Sequence, residues 1–267
     1  MTTRIAHISD LHFGKVDDPE LIEALLDTLN SGNWDLVVAS GDFVQIGKRE
    51  EFEAARSFLR RLEKPVLGTA GNHDIPWWPV WERFVSPYRK YHAYLRPEMN
   101  RFWENEQLVI AALNTARPFG WTWDWSRGRV SLGDLERIAE HFRRVGDGRR
   151  RAIVAHHPFW LPQGGDMRRL VKRHDPAIGF FRDNNVTLLM TGHEHTSVFK
   201  RLGEEGAPLI MSQAASTTSS RLRGEPNSFN ALTLEDDGSV SVDRVAITGE
   251  VHRPEDAETE PLMAELG

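Results

Sequence analysis

The stretch "VLGTAGNHDIP", residues 66–76, joins a short apolar run directly to a cluster of polar side chains. Residues 66–70 have the length and composition of a buried β-strand, and the tetrapeptide Gly71–Asp74 follows immediately. An amide, an imidazole and a carboxylate within one turn are typical of a site that performs chemistry. The rest of the chain repeats this order, an apolar run followed by polar groups.

Short apolar runs alternate with longer amphipathic segments. The other strand-like runs are residues 4–9, 36–40, 108–113, 152–156, 187–191 and 208–212. Apolar residues recur at helical spacing in residues 19–30, 49–62, 131–145 and 175–185. Ser131 and Asp175 are predicted to cap the last two of these helices. Residues 229–247 predict a β-hairpin that turns at Asp237 and Gly238. Alternating strands and helices predict an α/β domain with a largely buried sheet.

The composition limits the classes of protein to which this chain can belong. Of its 267 residues, 40% are hydrophobic, enough for a sizeable core, and the formal net charge is −6. This acidic balance provides no positive field for a phosphate backbone, so no nucleic-acid polymer is expected as a partner. The absence of cysteine excludes disulfides, thiolate metal sites and cysteine nucleophiles. No segment has the character of a signal peptide or a membrane span, so a cytoplasmic location is expected.

One domain is expected over residues 1–247. Residues 76–104 interrupt the alternation, are rich in aromatic residues and are predicted to form a small helical cap inserted in that domain. The tryptophans at 77–81, and those within 120–129, are expected to form a cap core or a subunit interface of a homo-oligomer. Stacking against a nucleobase is the alternative. The polar and acidic residues 248–267 are predicted to be a mobile tail.

Polar side chains follow five of the predicted strands. In open α/β sheets the carboxyl ends of the strands lie at one edge, where ligands bind. Carboxylate, imidazole and amide groups without sulfur suit a divalent Mn, Fe, Zn or Co ion. The donors exceed the need of one tetrahedral ion, whereas two ions that share a bridging carboxylate would use all of them. The seven candidate ligands are Asp10, His12, Asp42, Asn72, His156, His193 and His195.

Two pairs of these donors are separated by a single residue. They are Asp10 with His12, and His193 with His195. Both members of such a pair can face one ion only if the strand has already turned into its loop. The strands are therefore expected to end before these residues.

The motifs occur in a recognisable order. They are Asp-x-His at 10–12, Gly-Asp at 41–42, Gly-Asn-His-Asp at 71–74, His-x-Pro at 156–158 and Gly-His-x-His at 192–195. This ordered set resembles the calcineurin-like metallophosphoesterases, and the resemblance covers nearly the whole chain. It implies a four-layer α/β/β/α sandwich with a dinuclear metal site at one edge. The family pattern also favours His156, which has Pro158 two residues later, over His157 as the ligand.

The resemblance further implies a role for each residue. Asp10, His12 and His195 would hold the first ion, Asn72, His156 and His193 the second, and Asp42 would bridge them. A metal-bridging hydroxide would be the nucleophile, because bound cations lower the pKa of water. His73 would act as acid or electrostatic stabiliser, with Asp74 orienting its ring. Two divalent ions are implied, Mn²⁺ or Fe²⁺ favoured over Zn²⁺ or Co²⁺.

Departures from other branches of the family narrow the expected reaction. The segment "GDFVQIG" at 41–47 lacks the Asp-Arg pair of the Ser/Thr phosphoprotein phosphatases, and Gln45 replaces the tyrosine of the purple acid phosphatases. The start "HISDLHFG" at 7–14 most resembles the bacterial class III cyclic-nucleotide and glycerophosphodiester phosphodiesterases, which implies hydrolysis of a small phosphodiester. The alternatives are a phosphomonoesterase, a nucleotide-conjugate pyrophosphatase of the same fold, and a catalytically inactive binding scaffold.

Arginines outside the metal set are candidates for contacts with the substrate. Arg117, Arg221 and Arg223 lie in loops after predicted strands, and one guanidinium could bind a non-bridging phosphate oxygen. The arginine pairs at 60–61, 143–144 and 168–169 are expected to be solvated charges. His7 is expected to be a hydrogen-bonded core residue beneath the site.

Overall fold

Two β-sheets form the centre of the molecule. The computed structural model describes residues 2–16, 18–118, 126–146, 148–162, 166–203, 208–220 and 225–247, and the backbone of 251–252 and 259–260. The strands are β1 (Thr3–Ile8), β2 (Leu36–Ala39), β3 (Val66–Gly68), β4 (Phe102–Glu104), β5 (Leu108–Ala112), β6 (Arg150–Val154), β7 (Val186–Thr191), β8 (Val198–Leu202), β9 (Leu209–Gln213), β10 (Ser228–Leu234), β11 (Val240–Ala246), β12 (Val251–His252) and β13 (Thr259–Glu260). The α-helices are α1 (Pro19–Ser31), α2 (Arg49–Arg61), α3 (Val80–Val85), α4 (Leu132–Val145) and α5 (His174–Asp183).

The first sheet has the strand order β12-β11-β10-β1-β2-β3. Strands β1, β2 and β3 are parallel, so their carboxyl ends lie at one edge. The predicted hairpin forms β10 and β11, and β10 joins β1 in the antiparallel direction. Within the predicted tail, β12 pairs with β11 and β13 pairs with β8 of the second sheet. The mobility of that tail stays a prediction.

The second sheet has the order β13-β8-β9-β7-β6-β5-β4. Its central strands β5, β6, β7 and β9 are parallel, whereas β4 and β8 run antiparallel to their neighbours. The sequence predicted all four central strands but neither β4 nor β8. Central strands buried on both faces are continuous apolar runs, whereas β8 reads "VFKRL" and is only half-buried along its length.

Apolar side chains fill the three interfaces between the layers of helices and sheets. Between the two sheets lie Ile5, Val38, Leu67, Ile110, Val154 and Met190. The outer face of the first sheet packs on α1 and α2 through Ile8, Val37, Leu25, Leu29, Phe52 and Leu59. The outer face of the second sheet packs on α4 and α5 through Ile153, Leu189, Ile138, Phe142, Ala177 and Phe181. Alternate residues of one strand therefore face different layers, and the predicted four-layer α/β/β/α sandwich is confirmed.

Helix starts agree with the sequence in one case and differ in another. Ser131 Oγ accepts a hydrogen bond from the Asp134 amide at 3.3 Å and caps α4 as predicted. Helix α5 instead begins at His174, after Arg173 in a left-handed conformation with φ of 63°. Asp175 therefore lies in the first turn, where its negative charge interacts favourably with the helix dipole but does not cap the helix. Among the helices described, none is long and apolar enough to cross a membrane.

The segment predicted as a helical cap packs largely in the layer of α1 and α2. It contains α3, a π-helical turn (Tyr91–Leu95), a 3₁₀ turn (Arg96–Glu98) and β4. Tyr91 is buried in the same apolar layer as Phe52, and Glu98 Oε1 lies 2.9 Å from Arg56 Nε of α2. Three tryptophan side chains are mostly exposed: Trp77 (59%), Trp78 (73%) and Trp81 (60%). These three tryptophans do not form a cap core, and their place in a subunit interface stays a prediction.

Candidate metal centre

Five loops that follow parallel strands carry the predicted ligands to one place. Strand β1 ends at Ile8 and β7 ends at Thr191, so each strand stops two residues before its first polar donor, as predicted. Main-chain bonds join the loops, from Asp10 N to Gly41 O at 3.1 Å and from Gly192 N to His156 O at 3.0 Å. The loops border a cleft of about 410 Å³, a volume typical of small-molecule sites.

The backbone at the ligand positions is strained. Positive φ angles occur at Asp10 (52°), His12 (48°), Asp42 (55°), His193 (74°) and His195 (57°). For a residue with a Cβ atom this left-handed conformation costs about 1–2 kcal/mol. Such strain persists where the surrounding structure enforces it, which is typical of functional sites. These left-handed residues turn the chain after β1, β2 and β7, so that the donors of those loops face the site.

Asp42 lies between the two groups of donors. Its Oδ1 accepts a hydrogen bond from the His73 amide at 2.9 Å. Its Oδ2 lies 3.7 Å from His12 Nε2 and 3.3 Å from His156 Nε2. One oxygen of this carboxylate therefore holds the loop, and the other faces both groups.

Asp10 divides its two oxygens in the same way. Oδ2 accepts hydrogen bonds from Ser9 Oγ at 2.6 Å and from the His193 amide at 3.0 Å. Oδ1 lies 3.6 Å from Nε2 of both His12 and His195, whose rings are stacked with centroids 5.3 Å apart. Asp10, His12 and His195 therefore form one compact set of donors.

His156 anchors the second set. A carbonyl oxygen can only accept, so the 2.8 Å contact from His156 Nδ1 to Ser40 O places the proton on Nδ1. Nε2 then points into the site, 3.2 Å from His193 Nδ1. His157 Nδ1 instead contacts Thr115 Oγ1 at 2.8 Å, although its ring remains close to His193. Contact with Asp42 distinguishes His156 from His157.

His7 supports this arrangement from below. It is fully buried, and its Nε2 and Nδ1 lie 3.0 Å and 3.4 Å from the hydroxyls of Ser40 and Ser212. Burial lowers the pKa of His7 to about 3, so the ring is neutral. The predicted role of His7 as a hydrogen-bonded core residue is confirmed. Because Ser40 also accepts from His156, His7 stabilises the strand end that orients this ligand.

The charges of the site favour a bound cation. Burial acts to raise the pKa of Asp42, but the neighbouring His156 and His73 hold that pKa well below its usual range. Burial also opposes protonation of His156, yet Asp42 raises the pKa of His156 to about 9. Burial, together with His156, lowers the pKa of His193 to about 3. The carboxylates thus stay ionised and draw positive charge to the space between them.

Unpartnered buried atoms supply a test of whether a metal fits. Among the described residues, Asp10 Oδ1, His12 Nε2 and Asn72 Oδ1 are buried without a hydrogen-bond partner. Buried polar atoms normally have partners, because leaving one unpaired is costly. Carboxylate oxygen, amide oxygen and imidazole nitrogen are ligands of divalent ions such as Mn, Fe, Co and Zn. The residues present therefore fit such ions.

Asp74 does not orient the ring of His73, contrary to the expectation. Within the described part of the chain its carboxylate accepts four main-chain N–H groups, two on each oxygen. The donors are Asp42 and Gly71 for Oδ2 (3.0 and 2.8 Å), and Phe43 and Val44 for Oδ1 (2.8 and 3.1 Å). Burial and the nearby charge of Asp42 raise its pKa to about 7. Asp74 thus fixes the loop after β2 against the loop after β3.

The ring of His73 is held by a main-chain carbonyl. His73 Nδ1 lies 2.5 Å from Gln45 O, which can only accept, so Nδ1 carries a proton. The ring packs edge-on against His12 with centroids 4.8 Å apart and lines the cleft. The support for the His73 ring, which was predicted to come from Asp74, therefore comes from the main-chain carbonyl of Gln45. This is the position at which the purple acid phosphatases have a tyrosine.

Two glycines permit close approach of the loops. A Cβ atom on Gly71 would lie 2.1 Å from Asp42 Oδ1, and one on Gly192 would lie 1.9 Å from Ser9 Oγ. Neither neighbour can move without displacing a candidate ligand. These glycines are therefore required by contact distances in the Gly-Asn-His-Asp and Gly-His-x-His motifs.

Arg117, one of the three predicted substrate arginines, is not among the described residues that line the cleft. Arg117 is buried and its Nε donates to the Arg127 carbonyl at 2.6 Å, so it braces a loop. Arg221 and Arg223 lie outside the described residues. Among the described residues, three other arginines line the cleft: Arg127, Arg168 and Arg169. Arg168 is 82% exposed, as expected of a solvated charge, but Arg168 and Arg169 also line the cleft. Their position after the His-x-Pro motif was the one signal in the sequence.

The sequence is similar to those of known phosphoesterases. The family profile described as calcineurin-like phosphoesterase matches residues 3–197. The chain is 37% identical over 220 residues to the glycerophosphodiester phosphodiesterase GpdQ of Enterobacter lignolyticus, covering 73% of this chain and 74% of that protein. It is 34% identical over 265 residues to a probable cyclic nucleotide phosphodiesterase of a Synechococcus species, covering 90% of each.

Solved structures show the same architecture. A dimetal phosphatase from Danio rerio superposes with a TM-score of 0.62 at 14% identity, covering 94% of this chain and 98% of that one. The purple acid phosphatase PPD1 of yellow lupin superposes with a TM-score of 0.63 at 12% identity, covering 95% of this chain and 53% of that one. At such identities the likeness concerns the fold alone. The match of the profile to most of the chain establishes that this protein belongs to the calcineurin-like phosphoesterase family.

Proposed function

We propose that this protein is a dinuclear-metal phosphodiesterase that hydrolyses a small phosphodiester of the cyclic-nucleotide or glycerophosphodiester type. The observation that carries the proposal is the position of the Asp42 carboxylate. Its Oδ2 faces a donor set on either side, 3.7 Å from His12 Nε2 and 3.3 Å from His156 Nε2. The names of the two curated relatives, both phosphodiesterases, support the diester as substrate.

The residues divide between two ions. Asp10, His12 and His195 would hold one, Asn72, His156 and His193 the other, and Asp42 would contact both. When bound, such ions lower the pKa of water towards neutrality and neutralise charge on phosphoryl oxygens. Mn²⁺ or Fe²⁺ remains the favoured pair, in keeping with a donor set that lacks sulfur.

His73 is the proposed acid or electrostatic stabiliser. Its Nδ1–H is committed to the Gln45 carbonyl at 2.5 Å, so Nε2 is the atom that can donate a proton to the departing oxygen. Asp74 contributes indirectly, because its bonds to the amides of Phe43 and Val44 hold the segment that leads to Gln45.

A comparison of two chromogenic substrates tests this function. With Mn²⁺-loaded protein, bis(p-nitrophenyl) phosphate is expected to be hydrolysed with a higher kcat/KM than p-nitrophenyl phosphate. A clear preference for the monoester would overturn the diesterase assignment. Metal analysis that finds well under one ion per chain, with no activity after Mn²⁺ loading, would favour an inactive scaffold. The cytoplasmic location and the homo-oligomer stay predictions.

A further inference from the structure

The outer part of the cleft is lined by charged side chains that the metal centre does not use. Three arginines and two carboxylates line it, on the loops after β6 and β7 and on the loop that leads into α4. They are Arg127, Arg168, Arg169, Asp166 and Glu194. We call this set the rim. Counted over the residues that the structure describes, three guanidinium groups face two carboxylates at the rim, an excess of one positive charge.

Two of the rim arginines have carboxylate partners. Arg169 forms an ion pair with Glu194, whose side chain is only 9% exposed and lies within the Gly-His-Glu-His motif. Arg168 Nη2 lies 3.0 Å from Asp166 Oδ2, and that pair is largely solvent-exposed. The unbalanced charge therefore belongs to Arg127.

Arg127 is held through main-chain contacts. Its Nε donates to the Leu170 carbonyl at 2.7 Å, and its own carbonyl accepts from Arg117 Nε at 2.6 Å. No carboxylate of the described residues pairs with it. A guanidinium fixed through Nε keeps both terminal nitrogens for a ligand, and its orientation is set before the ligand arrives.

The loop of Arg127 is tied to the metal centre. The Arg129 amide donates to Thr115 O at 2.8 Å, and the Lys172 amide donates to Gly128 O at 2.9 Å. Gly128 packs so closely on His157 that a Cβ atom would lie 2.3 Å from its Nδ1. Because His157 adjoins the proposed ligand His156, the guanidinium has a set position relative to the ions.

We propose that Arg127 binds a second anionic group of the substrate, so that the favoured phosphodiester carries a further phosphate or carboxylate on one of its alcohols. This inference rests on the proposed phosphodiesterase function and names its substrate class. The two ions, when bound, would neutralise the single charge of the scissile phosphate, whereas an unbalanced guanidinium attracts another anion. Its planar donors match carboxylate and phosphate oxygens in pairs. A cationic alcohol such as choline is disfavoured at the same place.

Four glycerophosphodiesters test the substrate class on metal-loaded protein. They are glycerophosphoglycerol, its phosphate-ended and carboxylate-ended counterparts, and glycerophosphocholine. For at least one anionic compound, kcat/KM is expected to exceed that of neutral glycerophosphoglycerol by about tenfold or more, because a charged hydrogen-bonded pair contributes that much affinity. The anionic compound with the higher kcat/KM shows whether phosphate or carboxylate is the preferred group. Glycerophosphocholine is expected to be the poorest substrate.

Variants of Arg127 test whether this side chain causes the preference for anionic substrates. In Arg127→Gln the ratio between anionic and neutral substrates is expected to fall to about one, whereas Arg127→Lys, which keeps the charge without the planar fork, retains part of it. Arg129→Gln is the matched control, because Arg129 is exposed, lies two residues away and does not line the cleft. Equal ratios in Arg127→Gln and the wild type would overturn the inference.

A binding measurement separates this inference from the proposed function. Calorimetry compares 3-phosphoglycerate with glycerol 3-phosphate, which lacks the carboxylate, on wild type, Arg127→Gln and Arg129→Gln. About tenfold tighter binding of 3-phosphoglycerate, lost only in Arg127→Gln, supports the subsite. Equal affinities in the wild type, together with equal turnover of anionic and neutral diesters, would overturn it. Turnover of none of the four diesters, with the binding preference intact, would contradict the proposed function alone. Melting temperature and metal content confirm that each variant is folded.

Discussion

At the floor of the cleft, Asp10, Asp42 and His156 are 0–1% exposed, and each commits one polar atom to a fixed hydrogen bond while the other faces the site. At the rim, by contrast, the side chain of Arg168 is 82% exposed and its partner Asp166 is 46% exposed. The floor is held by a strained backbone that many bonds enforce, whereas part of the rim consists of exposed side chains. Substitutions in the floor should therefore abolish chemistry, and substitutions at the rim should alter selectivity.

The largest effect is expected from Asp42→Asn. The change keeps the shape but removes the charge from the one carboxylate that faces both donor sets. Turnover should fall by about 10⁴-fold or more, as for other residues on which a whole site depends. Metal analysis should show fewer ions than in the wild type. Asp166→Asn at the rim is the matched control and should keep both ions. An Asp42→Asn protein with two ions and near-normal turnover would show that the floor does not depend on this charge.

His73→Ala is expected to have the next largest effect. Both ions should remain bound, because the ring is held by Gln45 and is not one of the proposed ligands. Turnover should fall by about 10²–10⁴-fold, the usual contribution of a general acid. Metal content and kcat are measured on the same preparation, with His92→Ala, outside the cleft, as control. Loss of an ion from His73→Ala would place this residue among the ligands instead.

Asp74→Asn is expected to act mainly on the stability of the fold and less on turnover. The amide group replaces an acceptor with a donor that faces main-chain N–H groups of the loops after β2 and β3. The free energy of unfolding should fall by roughly 2–4 kcal/mol, since buried donors are left unpaired. That corresponds to a decrease in melting temperature of about 4–16 °C for a chain of this size. Unchanged melting with reduced kcat would instead restore the role of Asp74 in orienting His73.

Arg168→Gln is expected to have the smallest effect. Its ion pair with Asp166 is exposed, and exposed pairs contribute little to stability. The melting temperature should change by less than about 1 °C, and kcat/KM for bis(p-nitrophenyl) phosphate by less than about threefold. Both measurements are made at low and high salt. A loss comparable with that of His73→Ala would show that the rim takes part in the chemistry itself.

The sequence predicted the floor much better than the rim. The seven predicted metal ligands lie close together, six of them in connected groups of Asp and His and Asn72 at the adjoining cleft, because each follows a parallel strand and parallel strands end at the same edge. The rim could not be predicted in this way. Arg127 and Arg169 come from segments without strong periodicity. The bond from Arg127 Nε to the Leu170 carbonyl and the ion pair of Arg169 with Glu194 hold them at the cleft.

The contacts that hold the His73 ring and the Asp74 carboxylate could not be predicted from the sequence either. Asp74 stands next to His73 in the chain, and adjacency suggested that it orients the ring. The structure turns its carboxylate towards the amides of the loop after β2, because those N–H groups are buried and need acceptors.

By itself, the sequence determined the alternation of strands and helices and the polar residues that follow the strand ends, since these depend on local patterns. The four-layer sandwich was implied by the resemblance of the ordered motifs to the calcineurin-like metallophosphoesterases. Only the tertiary structure decided which oxygen of Asp10 and Asp42 faces the site, which atom supports His73, and which arginines reach the cleft. Those outcomes depend on hydrogen bonds between residues far apart in the chain. Such bonds form only when the loops are packed together, so no local pattern in the sequence encodes them.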